Sequence, residues 1–149
     1  MAVPTGRGRR ALLIDTDNVT ILNGRTLSNA ETHFVFKRTF YLAGEVDFVK
    51  AIAPRRTNVR VGAELAALGI RWEQVEQGPD AADRRIVERA MQLIASGYTE
   101  ICIASCDHYF ARLGSSVALT VINPLAGKPI ARELRATATA IFETQVTAA

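Results

Sequence analysis

Three short apolar runs punctuate the chain: residues 11–14 (Ala-Leu-Leu-Ile), 101–104 (Ile-Cys-Ile-Ala) and 117–122 (Val-Ala-Leu-Thr-Val-Ile). They are near-continuous rather than alternating, the pattern of parallel strands covered on both faces. Two weaker runs, near 46–52 and 70–75, predict further strands. Between them, helical spacing of apolar residues is found near 29–42, 57–68 and 80–96, with a short turn near 108–113 and a last helix near 130–142. Gly69 and Gly97 follow two of these helical stretches as carboxyl-end caps do, and Pro54, Pro79, Pro124 and Pro129 fall between elements. Strand and helix alternate throughout. The expected fold is therefore α/β, a single three-layer Rossmann-like domain whose mostly parallel sheet of about five strands carries helices on both faces.

In an open sheet of this kind the ligand crevice lies outside the carboxyl ends of the strands, where strand order reverses. With the order 3-2-1-4-5, the ends of the first and fourth strands face each other across that crevice. Asp15 and Asp107 sit at those two ends.

A chain of 149 residues, 48% apolar and 22% charged, has the size and composition of one ordinary domain. Residues 11–149 are read as that domain, preceded by a basic arm, 1–10, expected to be flexible. No apolar run approaches the roughly 20 residues that span a bilayer, and the amino terminus has no apolar stretch like a secretion signal, so a cytoplasmic, membrane-free protein is expected. Cys102 and Cys106 would lie roughly 13 Å apart in an extended strand, too far for a disulfide, and read as buried thiols. With His33 and His108 as the only histidines, a structural zinc site has little support.

Charge adds a contrast. Lys and Arg number 18 against 15 Asp and Glu, a net charge of +3, and 15 of the 18 are Arg. Yet five of the six aspartates, Asp15, Asp17, Asp80, Asp83 and Asp107, fall in three short clusters, each after a strand-like segment. Carboxylates in a basic chain suit a phosphate-bearing substrate, with Arg groups available to hold phosphates: Arg7, Arg9 and Arg10; Arg55 and Arg56; Arg84 and Arg85. Each group taken alone reads first as a solvated face or a flexible tail.

The first cluster, Ile14-Asp15-Thr16-Asp17-Asn18-Val19, drives a buried strand into an acid-rich turn. Burying Asp15 there is costly unless a cation pairs with it, and hard divalent ions such as Mg²⁺ or Mn²⁺ pair through oxygen ligands. Asp17 and Asn18 can alternatively be Asx residues satisfying their own turn. In the second, Pro79-Asp80-Ala81-Ala82-Asp83-Arg84-Arg85, Asp80 reads as a helix cap, whereas Asp83 shares a helical stripe with Val87, Ala90 and Ile94 and points inward. The third, Ala104-Ser105-Cys106-Asp107-His108-Tyr109, again ends a buried strand in small residues and an acid. His108 is a loop residue or an acid/base group; Cys106 is a poor nucleophile candidate, with only adjacent His108 to activate it.

Together, residues 13–19 (Leu-Ile-Asp-Thr-Asp-Asn-Val), 81–87 (Ala-Ala-Asp-Arg-Arg-Ile-Val) and 103–113 (Ile-Ala-Ser-Cys-Asp-His-Tyr-Phe-Ala-Arg-Leu) resemble the three acidic motifs of the NYN domain, a family of the PIN-like nucleases. The resemblance covers roughly residues 11–125, with the motifs in order and similarly spaced. It implies a Rossmann-like sheet and metal-dependent cleavage of RNA. By position, Asp15, Asp83 and Asp107 would be metal ligands for Mg²⁺ or Mn²⁺, with Asn18 and Ser105 shaping the site and Asp17 beside it. Arg84, Arg85 and the arm, Arg10 included, would draw in the RNA backbone. Trp72 reads as core rather than as a base-stacking platform.

Two positions depart from the family pattern: Tyr109 stands where an acid is usual, and so does Arg89, six residues after Asp83. That acid set favours one ion over two. The rival readings are a catalytically weakened RNA-binding or interaction module, and a phosphatase of the haloacid-dehalogenase type, whose opening Asp15-Thr16-Asp17 resembles but whose final acidic pair is missing after Asp107, where only Lys128 follows. A homodimer is compatible with the sequence but argued by no residue in it.

Overall fold

A computed structural model describes residues 8–144 of the chain. Its element order opens with β1 (Arg9–Asp15), a short helix α1 (Thr16–Thr20), and a small antiparallel hairpin of β2 (Ile21–Leu22) and β3 (Arg25–Thr26). Then come α2 (Asn29–Ala43), β4 (Phe48–Pro54), α3 (Arg55–Ala67), β5 (Trp72–Val75) and α4 (Ala81–Ala95). The chain continues through β6 (Tyr98–Ala104), a 3-10 helix (His108–Leu113), β7 (Ala118–Asn123), α5 (Arg132–Thr137) and β8 (Ala140–Glu143). Six strands form the central sheet in the order β5-β4-β1-β6-β7-β8, and every pairing in it is parallel.

This is the expected α/β architecture with one strand more. The stretch 130–142, read as a single helix, is a one-and-a-half-turn helix followed by an edge strand, because Ala138 leaves the helix in an extended conformation and Ala140–Glu143 pair with Thr120–Asn123. The β2/β3 hairpin, too short for any periodicity, was not expected either.

The continuous apolar runs are explained by burial on both faces. On β1, Leu12 and Ile14 pack with Val35 and Phe36 of α2 and Val61 and Leu65 of α3, while Ala11 and Leu13 pack with Ile86, Ala90 and Leu93 of α4. β6 divides likewise, Cys102 and Ala104 to one layer, Ile101 and Ile103 to the other, with Phe110 and Leu134. All these β1 and β6 side chains are fully buried, so each strand interior is a place where a charge would be intolerable.

Local signals set the helix ends. Ser28 and Glu31 form a reciprocal capping box at the start of α2, Ser28 Oγ accepting from the Glu31 amide at 3.2 Å and Glu31 Oε1 from the Ser28 amide at 2.9 Å. Gly69 and Gly97 close α3 and α4 at positive φ, 71° and 101°. Asp80, by contrast, precedes α4 in the left-handed region at φ 58° and makes no side-chain cap hydrogen bond, so the expected capping role is not the one it plays. Trp72 is 44% exposed rather than core, because β5 is an edge strand and the indole lies over Gly62 of α3.

Arg9 and Arg10 are strand residues, not arm; Arg7 and the rest of 1–7 lie outside the described residues. Among the described residues no helix is long and apolar enough to cross a membrane.

Candidate functional site: an acidic cleft at the carboxyl edge of the sheet

Parallel pairing places all strand carboxyl ends on one edge. Ile14 pairs with Ala104 and Asp15 with Ile52, so the ends of β1, β4 and β6 come level. From β1 the chain first builds outward through β4 and β5, then α4 carries it back to β6 on the other side of β1. Strand order therefore reverses at β1/β6, where a ligand crevice is expected. A cleft of about 360 Å³ opens there, lined by Asp15, Asp17, Asn18, Asp80, Asp83, Asp107 and Lys128, with Ile21, Pro54 and the segment 77–78 on its walls.

The crossover geometry is what brings Asp83 in. α4 begins at the carboxyl edge and runs over β4, β1 and β6, so its first turn overhangs the end of β1. Asp83 is buried there with Ile86, Ala90 and Leu93, while Val87 and Ile94 are only partly buried flanks of that stripe. The inward direction expected for Asp83 holds, with the stripe centred one position away.

Asp15 is 4% exposed. Burial first, then repulsion from Asp83, pushes its carboxyl up to about 7, against the pull of a hydrogen bond donated by Ser105 Oγ to Oδ2 at 2.8 Å. Asp17 and Asp107 add further repulsion. Asp83 is pushed up to about 6, again first by burial, then by the charges of Asp107 and Asp80. These three acids, from β1, α4 and the loop after β6, thus feel one another across the cleft.

The remaining polar residues hold this arrangement. Ser105 Oγ, besides donating to Asp15, accepts from the Asp107 amide at 3.1 Å, linking the two motif acids through one hydroxyl. Asp107 Oδ1 accepts from the Tyr109 amide at 2.9 Å and lies 3.3 Å from His108 Nδ1. Asn18 Oδ1 accepts from the Cys106 amide at 3.0 Å, tying α1 to the β6 loop. Thr57 at the start of α3 donates to Asp17 Oδ1. Lys128, in the loop after β7, reaches back to donate to the carbonyls of Asn18 and, at 3.1 Å, Ile21.

Asp15, Asp17, Asn18, Asp83, Ser105 and Asp107 are thus assembled together, as expected. The basic residues divide. Arg10 lies at the opposite end of the sheet, its guanidinium donating to both Glu100 carboxylate oxygens at 2.8 and 3.0 Å and to the Ala43 and Glu45 carbonyls. It is a structural tie, far from any contact with the cleft. Arg85 pairs with Glu73 at 3.4 Å and with Glu88, and Arg89 with Glu73 at 2.7 Å, which explains why a base stands at position 89: it answers β5 rather than the cleft. Arg84, Arg55 and Arg56 are exposed, the last two opening α3 immediately after Pro54 of the cleft wall. Tyr109 packs on the core, its ring capped at 3.6 Å by the Arg112 guanidinium.

Sequence reasoning missed Thr57 and gave Lys128 no place in the site. Nothing local marks Thr57; Lys128 stands just past a strand end, but only tertiary structure shows which way the loop returns. Cys106 is no nucleophile: burial pushes its thiol up to about 11.

The donor set is one of carboxylate oxygens, which suit a hard divalent ion, and burial first and mutual repulsion second push Asp15 and Asp83 toward protonation. Among the described residues, no three His, Cys, Asp or Glu side chains converge tightly enough to hold an ion by themselves.

No protein-family model matches the chain, and no curated protein does. Among solved structures it is similar to a crystal structure of a protein of unknown function from Vibrio parahaemolyticus RIMD 2210633, with a TM-score of 0.68 and 17% identity over 95% of this chain and 96% of that one. At that identity the likeness is one of fold: a Rossmann-like α/β domain shared along nearly its whole length.

Proposed function

We propose that this protein is a metal-dependent ribonuclease of the PIN-like type, hydrolysing RNA phosphodiester bonds at the acidic cleft. The observation that carries the reading is the assembly of Asp15, Asp83 and Asp107 from three separate segments, two of them buried carboxyls held well above the usual carboxylate range. A fold gains nothing by burying repelling acids; a cation-dependent site does. The motif resemblance to NYN domains, which spans these same residues, supports RNA as the substrate.

Asp15, Asp83 and Asp107 would hold Mg²⁺ or Mn²⁺, which when bound supplies a water of lowered pKa and a counter-charge for phosphoryl oxygens. Ser105 keeps Asp15 and Asp107 in register with each other, and Asn18 fixes the β6 loop against α1. Thr57 holds Asp17 at the cleft wall. Arg55, Arg56 and Arg84, exposed around the rim, suit the phosphate backbone of a strand laid across the opening.

The test is cleavage of a mixed pool of single-stranded and structured RNA in Mn²⁺, Mg²⁺ or EDTA, with Asp107→Asn beside the wild type. Metal-dependent cleavage by the wild type that the variant lacks is the expected result. Folded wild-type protein that cleaves nothing with either metal, yet binds RNA, would overturn the nuclease in favour of a binding module; turnover of a small phosphomonoester lost in Asp17→Ala would instead indicate the phosphatase chemistry.

A further inference from the structure

Lys128 is a cation in a cleft that otherwise presents five aspartates, and the acid motifs do not account for it. The loop after β7 places its ammonium against α1, where it donates to the carbonyls of Asn18 and Ile21. An ammonium has three N–H donors, so these two bonds leave one. Both bonds go to carbonyls rather than carboxylates, so they position the charge without neutralising it. The site is desolvated enough to push the lysine down from its ordinary value, while Asp15 and Asp107 pull the other way, which places all three groups within electrostatic reach of one another. A lysine needed only to satisfy one carbonyl of α1 and one at the start of β2 could do so from the solvent side, where keeping it charged costs nothing.

The neighbouring chemistry gives this charge a purpose. At the two positions where a second ion's ligands would be sought, Tyr109 is packed on the core and Arg89 is paired with Glu73. The cleft is therefore short of positive charge for a phosphodiester whose transition state concentrates negative charge on phosphoryl oxygens. Fixed cations aimed at developing charge are among the strongest catalytic devices, and lysine serves as a point charge for phosphate.

We propose that Lys128 is a catalytic residue of this cleft, its remaining N–H donating to a non-bridging oxygen of the scissile phosphate and supplying the positive charge that a second divalent ion would otherwise supply. The proposal rests on the nuclease reading. No proton changes hands: the ammonium stays protonated and acts by charge and hydrogen bonding.

The experiment is steady-state cleavage of a single-stranded RNA in Mn²⁺ by wild type, Lys128→Met and Lys128→Arg, with circular dichroism for folding and a Mn²⁺ titration of the rate. The expected result is a kcat about 100-fold lower in Lys128→Met, with KM within about threefold of wild type, a half-maximal Mn²⁺ concentration no higher than wild type because loss of a nearby positive charge favours the cation, and partial recovery in Lys128→Arg. A residue acting only by holding α1 would weaken Mn²⁺ binding through Asp15, so a raised Mn²⁺ midpoint accompanying the loss overturns the catalytic role. So does a folded Lys128→Met whose kcat stays within about threefold of wild type. Should Lys128→Met not fold, Lys128→Gln keeps an N–H for the carbonyls and removes the charge, and the same two criteria apply to it. A wild type without metal-dependent cleavage overturns the nuclease reading itself, an outcome distinct from active wild type with an indifferent Lys128.

Discussion

Replacing Asp15 by Asn should stabilise the metal-free protein at alkaline pH while abolishing cleavage. Burial and repulsion raise the Asp15 carboxyl from 3.8 to about 7. At about 1.36 kcal/mol per pH unit, ionising it inside the fold costs about 4 kcal/mol. Because the folded-state value is the raised one, the protonated carboxyl favours the fold. The stability it permits is fully present below about pH 4 and is lost as pH rises through about 7. Asn is close to the protonated acid in shape and can still accept from Ser105, though its amide needs a partner of its own, a cost of about 1–2 kcal/mol. The net gain at pH 8 in EDTA is therefore about 2–3 kcal/mol, or roughly 5–10 °C in Tm for a domain of this size. At pH 4 the wild-type carboxyl is already neutral in the fold, the benefit disappears, and the amide's cost leaves the variant slightly less stable. Thermal unfolding followed by circular dichroism at the two pH values reads this directly. A variant that melts below wild type at pH 8, or that is offset equally at both pH values, refutes the account of Asp15 as a carboxylate held at the fold's expense.

The same reasoning predicts that Mn²⁺ at about 100 times its Kd raises wild-type stability at pH 8 by about 2.7 kcal/mol and leaves Asp15→Asn nearly unmoved, measured by melting with and without EDTA. Cys102 and Cys106 are buried, with thiols pushed up to about 12 and about 11, so neither should react with a thiol reagent at pH 8 until the protein unfolds, when both should. Glu100→Ala removes both oxygens that hold Arg10 and should cost about 1–2 kcal/mol in urea unfolding with cleavage unchanged, since that pair lies at the far end of the sheet.

The apolar runs of β1, β6 and β7 were legible because a strand buried on both faces admits almost no polar residue, so burial writes itself into consecutive positions. The motif acids stood out for the complementary reason: a carboxylate directly after such a run has no cheap structural explanation. The edges of the fold were less legible. β8 and Trp72 belong to elements with one open side, where sequence is weakly constrained, and residues 130–142 carry apolar spacing that a short helix and a short strand satisfy together as well as one helix would.

Charge partnerships were the least legible of all. Arg10, Arg85 and Arg89 look alike along the chain, yet Glu100, Glu73 and Glu88 claim them, because an ion pair depends on which strands lie side by side and carries no local signature. Local sequence by itself determined five of the six strands of the main sheet, most helix limits and the identity of the acids. Only tertiary structure decided that α4 crosses back over β1 to bring Asp83 to Asp15 and Asp107, and that the β7 loop returns Lys128 to the same cleft. The first are set by short-range sterics and burial along a few residues; the second follow from strand order and crossover direction, which join residues up to 110 positions apart.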